Sequence, residues 1–170
     1  MQTLQDLIDC LPQQGIVEWI GIRPARQAPL QHVEQAELAV DLGLAGDRYA
    51  SRGGKRQVTL IQAEHLSAVA SMLGIDAITP ETLRRNIVVR GINLLALKDK
   101  HFSVGGATLA FTGLCHPCSR MEAALGPGGY NALRGHGGIT ARVLGGGIVK
   151  IGDTVSAASR SPNAIRYGEE

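Results

Sequence analysis

Apolar and polar positions alternate in short stretches along most of this chain, and the repeat changes wherever glycine or proline interrupts it. GIVEWIGI (15–22), QAELAVDLG (35–43), RQVTLI (56–61) and NIVVRG (86–91) carry the two-residue, β-branched signature of strands. HFSVGGATLAFTG (101–113) reads as two strands joined at Gly105-Gly106, a hairpin signal. ITARVLGGGIVKIGDTVSA (139–157) reads as a strand, a glycine turn and a second strand. Helical spacing is confined to a few places. The first dozen residues give a short amphipathic helix ended by Pro12, with Leu4, Leu7, Cys10 and Leu11 on one stripe, so Cys10 is expected to be a packed small hydrophobe. QAEHLSAVASMLG (62–74) closes on Gly74 as a C-cap would, and ITPETLRRN opens a short helix with Thr79 as N-cap and Pro80 in first position. The tail ASRSPNAIRYGEE is expected to fray.

This pattern implies one mainly β domain spanning residues 1–170, with about three short helices. The strands lack βαβ alternation, which argues against a doubly wound sheet, and 22 glycines suit a barrel of sharply bent strands and tight turns. A chain of 170 residues buries roughly two-thirds of its unfolded surface and needs no staples. The net charge of +2 is spread along the chain and aromatics are few, which sets nucleic-acid binding aside. No apolar run approaches the ~20 residues of a membrane span and the N-terminus lacks a basic leader, so a cytoplasmic protein is expected.

Two of the three cysteines stand in CHPC (115–118), at the end of a predicted strand. Ser119 and Glu122 form a capping-box pattern, which predicts a helix capped by Ser119 and puts Cys118 one residue before the cap. The helix dipole, with His116 and Arg120 close in sequence, favours a thiolate there. Three chemistries compete. A thioredoxin-like dithiol would use both sulfurs but wants a βαβ frame. A zinc site would add His116 or His136, yet only one close ligand pair is evident, so zinc is not expected. The third is a single thiolate at Cys118 that ligates a soft or redox metal or accepts sulfur. Two glycine-rich loops bear on the choice: GLAGDRYASRGGKRQ brings Asp47, Arg48 and Arg56, and GPGGYNALRGHGG brings Arg134 and His136. Guanidinium forks and unblocked amides bind phosphate-like oxygens, and LRRN adds Arg85 and Asn86 to the same rim. Arg48 and Arg134 are the leading anion contacts, and Asp47 is expected to orient an arginine or cap a turn. His32, His65 and His101 are read as ordinary surface or core residues.

GLAGDRY, RQVTLIQAEHL, LRRNIVVRGINLLAL, HFSVGGATLAFTGLCHPCSRME and ITARVLGGGIVKIGDTV follow one another in the order seen in MOSC domains, the family of the molybdenum-cofactor sulfurase C-terminal region. The resemblance covers residues 15–157. It implies a closed β-barrel of the pyruvate-kinase type and one functional cysteine, matched here by Cys118 in PCSRME. In related amidoxime-reducing proteins the matching cysteine ligates molybdenum held by a phosphate-bearing pterin. In the sulfurases the domain works with a pyridoxal-phosphate-dependent desulfurase, so that cofactor would come through a partner here. The resemblance thus implies a molybdenum cofactor, a role in reducing N-hydroxylated compounds or in sulfur or cofactor delivery, and a desulfurase or electron-donor partner. The larger cofactor-binding relatives add an N-terminal β-rich domain and some bacterial ones a C-terminal helical extension, and neither is expected within these 170 residues.

Overall fold

The computed structural model describes residues 1–49 and 52–158; the tail expected to fray lies outside them from residue 159 onward. In chain order the elements are α1 (Leu4–Asp9), β1 (Gly15–Ile22), β2 (Gln31–His32), β3 (Gln35–Ala39), β4 (Gly43–Leu44), β5 (Val58–Gln62), α2 (Ala63–Leu73), α3 (Pro80–Leu83) and β6 (Ile87–Arg90). A 3-10 turn (Leu94–Leu97), β7 (His101–Val104), β8 (Ala107–Leu114), α4 (Ser119–Leu125), α5 (Gly129–Leu133), β9 (Ile139–Gly145), β10 (Gly147–Lys150) and β11 (Thr154–Ala157) follow.

Seven strands close a barrel in the order β1-β6-β5-β9-β8-β7-β11, with Gly15 opposite Val155 where β11 returns to β1. Closure leaves the ring without a free edge. Strand periodicity decides what fills it. Leu60, Ile87 and Val89 point inward with Val17, Phe102 and Leu109, whereas Ile61 and Val88 point outward. The outward pair meets Val69 of α2, Leu83 of α3, Met121 of α4 and Leu133 of α5 in a second, smaller core. Apolar residues on both faces explain why IVV runs without polar interruption. This outer helical layer carries α4 and hence the CHPC segment.

Several elements depart from the sequence expectation. β5 and β6 pair in parallel across α2 and α3, so the fold holds one βαβ unit within an otherwise antiparallel barrel. The stretch 139–157 makes three strands, because Gly147 lets β10 peel away and join β3 and β4 in a separate small sheet. A Cβ on Gly147 would lie 2.2 Å from the Gly106 carbonyl oxygen at the β7–β8 hairpin, so only glycine passes there. GPGGYNALRG contains α5, a helix too short for its periodicity to register. Cys10 is exposed rather than packed, since no residue of α1 is buried. No helix among the described residues is long and apolar enough to cross a membrane.

Candidate functional site

β8 delivers the two cysteines to different environments. Its last residue pairs with Ile139, and Cys115 extends the ladder by donating its N–H to the Gly138 carbonyl at 2.8 Å. Cys115 is therefore held against the barrel, and burial pushes its thiol up from the ordinary value, with Arg85 and Arg56 opposing. His116 and Pro117 lead out to Cys118, which is exposed. Cys118 is itself the N-cap of α4: its backbone is extended and its carbonyl accepts from the N–H groups of Met121 (2.9 Å) and Glu122 (3.3 Å). The predicted Ser119 cap is displaced by one residue because Met121, third in the helix, must reach the outer core. Glu122 is consequently not part of a capping box. Its carboxylate accepts from the Gly128 and Tyr130 N–H groups at the start of α5, and those bonds hold it below the usual carboxylate range.

Beside α4 lies a group of arginines around one buried carboxylate. Asp47 accepts from the Arg23 N–H at 2.8 Å, lies 3.6 Å from Arg23 Nε, and takes a 3.5 Å contact from Asn86 Nδ2. Arg48, next in sequence, donates its N–H to the Arg23 carbonyl at 2.6 Å. Arg84 ends α3 in the left-handed conformation at φ 57°. Burial and then the positive charges of Arg23, Arg120 and Arg48 push the Arg84 guanidinium down, while Asp47 pulls it back. Arg120 stands two residues beyond Cys118 on α4. Arg84 thus feels three other guanidinium charges and one carboxylate, and one of those arginines, Arg120, is two residues from the exposed Cys118. Asp47 orients an arginine as expected, and that arginine is Arg23.

The other sequence candidates divide. Arg85 is buried and spends its Nε on the Gly137 carbonyl (2.8 Å) and Nη1 on the Leu83 carbonyl (2.6 Å), which pins the 134–138 loop to the end of α3. Asn86 is a buried node: Oδ1 accepts from the Thr59 N–H and hydroxyl, and Nδ2 donates to the Gly21 carbonyl. It ties β5, β6 and β1 together beneath Asp47. Arg134 is exposed at the C-cap of α5 and is not among the charges acting on Arg84. His136 packs edge-to-face on His65 of α2, with ring centroids 4.8 Å apart. Arg56 is exposed and acts on Cys115. Sequence reasoning missed Arg23 and Arg84. Arg23 sat in an unremarkable proline loop, and in LRRN only the left-handed turn at Arg84 decides which arginine faces outward.

The fold is shared with solved structures. The YuaD protein of Bacillus subtilis superposes with a TM-score of 0.76 at 21% identity, covering 89% of this chain and all of that one. YiiM from Escherichia coli gives 0.66 at 18% identity over 86% of this chain and 71% of its own. YiiM from Geobacillus stearothermophilus gives 0.63 at 18% identity over 90% and 78%. No curated protein sequence matches the chain. The family model of the MOSC domain matches residues 46–156, from the glycine before Asp47 through Cys118 to the last barrel strand, and the chain belongs to that family.

Proposed function

We propose that this MOSC protein holds a molybdenum–pterin cofactor, with Cys118 ligating the metal and Arg23, Arg48, Arg84 and Arg120 binding the pterin phosphate. The observation that carries this reading is that Arg84 feels the positive charges of Arg23, Arg120 and Arg48 against the single carboxylate of Asp47, with Arg120 two residues from the exposed Cys118. Mutually repelling guanidinium groups are costly unless an anion joins them, and a phosphate offers the bidentate acceptors they fit. The donor set therefore suits a group that is soft at one end and anionic at the other. Such a cofactor, when bound, supplies two-electron reduction chemistry at its metal. The chain's own residues bind and orient it. Asn86 and Asp47 fix Arg23, and the α4 cap fixes the Cys118 backbone. Cys115 stays a neutral thiol that supports the turn from behind.

Reduction of an N-hydroxylated compound is the activity proposed for the loaded chain. A second reading, delivery of sulfur or cofactor to a partner such as a desulfurase or an electron-donor protein, is favoured by the exposure of Cys118, Ser119 and Arg120. One experiment separates them. The chain is loaded with released cofactor, reduced chemically and offered an N-hydroxylated base. Multiple turnovers lost in Cys118→Ser support the reductase; retention of cofactor without turnover, followed by its transfer to an acceptor apoenzyme, supports delivery. Failure of wild type to retain cofactor contradicts both.

A further inference from the structure

Two imidazoles between α2 and the loop after α5 play no part in the site described above. His65 is the third residue of α2 and His136 belongs to the 134–138 loop; their rings meet edge to face with centroids 4.8 Å apart. The Nδ1 atom of each ring is closed off from solvent and has no hydrogen-bond partner among the described residues. Buried polar atoms without partners are rare in folded proteins, and two on touching rings call for a physical account. A neutral imidazole carries its proton on one nitrogen only. With that proton on Nε2, each ring turns a free Nδ1 lone pair inward, which is the form in which histidine binds a metal ion. Burial, and then His136, push the His65 ring toward its neutral form.

We propose that His65 and His136 together bind one divalent transition-metal ion of the class imidazole prefers, with Zn²⁺ its representative, through their Nδ1 atoms. The ring spacing fits a shared ion. With metal–nitrogen bonds of about 2.1 Å, an ion lies about 3.2 Å from the centre of each ring it binds. Centroids 4.8 Å apart then subtend roughly 95–100° at the ion, between the square-planar and tetrahedral values. No third His, Cys, Asp or Glu completes the set among the described residues, so water fills the other positions. Glu64 precedes His65 and lends negative charge, but its Oε1 accepts from the Gly91 N–H and is not counted as a ligand. The ion serves as a clasp. The 134–138 loop already meets Arg85 through the Gly137 carbonyl and Cys115 through the Gly138 carbonyl, and a shared ion fastens the same loop to α2.

Nitrogen NMR of the imidazoles in the full-length chain, titrated with Zn²⁺, tests this. The exposed Cys10 and Cys118 are first changed to Ser so that no surface thiol competes for the ion. The Nδ1 signals of His65 and His136 are expected to move together to the metal-bound position, ahead of any change at His32, His101 or His116. Zn²⁺ should also raise the melting temperature. His65→Gln and His136→Gln should each weaken binding by about tenfold or more, as loss of a ligand requires. Both side chains are partly exposed, so melting scans without metal should show the variants folded. The titration of the histidine-intact chain decides the matter even where a variant fails to fold. Zn²⁺ in excess that leaves both Nδ1 signals in place overturns the proposal, and the orphaned nitrogens then face water only. So does a shift at Nε2 in place of Nδ1, or binding that survives both glutamine substitutions.

Discussion

Cys115 and Cys118 are three residues apart, yet burial separates their chemistry. The neutral, ladder-bound Cys115 should alkylate far more slowly at neutral pH than exposed Cys118, and peptide mapping after brief iodoacetamide treatment should find the label at Cys118 before Cys115. Equal labelling would remove the asymmetry on which a single-thiolate site rests. Arg84 gives a second residue-scale prediction. Burial and then the charges of Arg23, Arg120 and Arg48 disfavour its charged form, so Arg84→Gln should melt at or above the wild-type temperature without anion. With phosphate present the order should reverse, because the variant loses a charged hydrogen bond of roughly 1.5–3 kcal/mol to the ligand. Melting scans with and without phosphate check both halves. At this scale the sequence was informative where structure is local: the strand end and helix entry around Cys118 were legible from CHPC and the residues that follow it. Arg23 was not, because only the Asp47 carboxylate, reaching across 24 residues, places it.

The elements around the site are held by close approaches that leave measurable handles. A methyl on Gly137 would lie 2.1 Å from the Cys115 carbonyl oxygen, and Arg85 Nε donates to the Gly137 carbonyl. Gly137→Ala should therefore destabilise the fold by about 1–3 kcal/mol and lower anion affinity as the turn to Cys118 shifts. Denaturant midpoints and phosphate titration would show it; a neutral substitution would mean the loop and turn are independent. The His65–His136 contact couples α2 to the same loop. Burial first, then the neighbouring His136, lower the His65 pKa from its ordinary 6.5, with Glu64 opposing. The unfolded chain then takes up a proton before the folded one, so stability is present above about pH 6.5 and falls as the pH drops below it. Melting temperature should decline between about pH 7.5 and 5.5, and His65→Gln should flatten that decline. An unchanged slope in His65→Gln would assign the pH effect elsewhere. The strands of this region were legible from two-residue periodicity. α5 was not, since a five-residue helix rich in glycine shows no period, and the α4 cap shifted because burial of Met121 outweighed the Ser119–Glu122 pattern.

The whole molecule is a closed barrel with a helical layer on the outer face of β5 and β6, and the site sits where that layer meets the strand ends. Its barrel character was legible because glycines, hairpins and short strands recur along the entire chain. The parallel β5–β6 pair was hidden: α2 and α3 each read as isolated helices, and parallel pairing is a tertiary choice made by the apolar faces of Ile61 and Val88. The family match and the shared fold place Cys118 within a MOSC domain, and the fold brings the charges of Arg23, Arg120 and Arg48 to bear on Arg84. The most direct measurement is metal content per chain in protein purified from a molybdenum-replete host, with wild type, Cys115→Ser and Cys118→Ser analysed side by side. The account predicts molybdenum in wild type and Cys115→Ser and its loss from a folded Cys118→Ser. Molybdenum retained in Cys118→Ser, or lost equally from both cysteine variants, would contradict it.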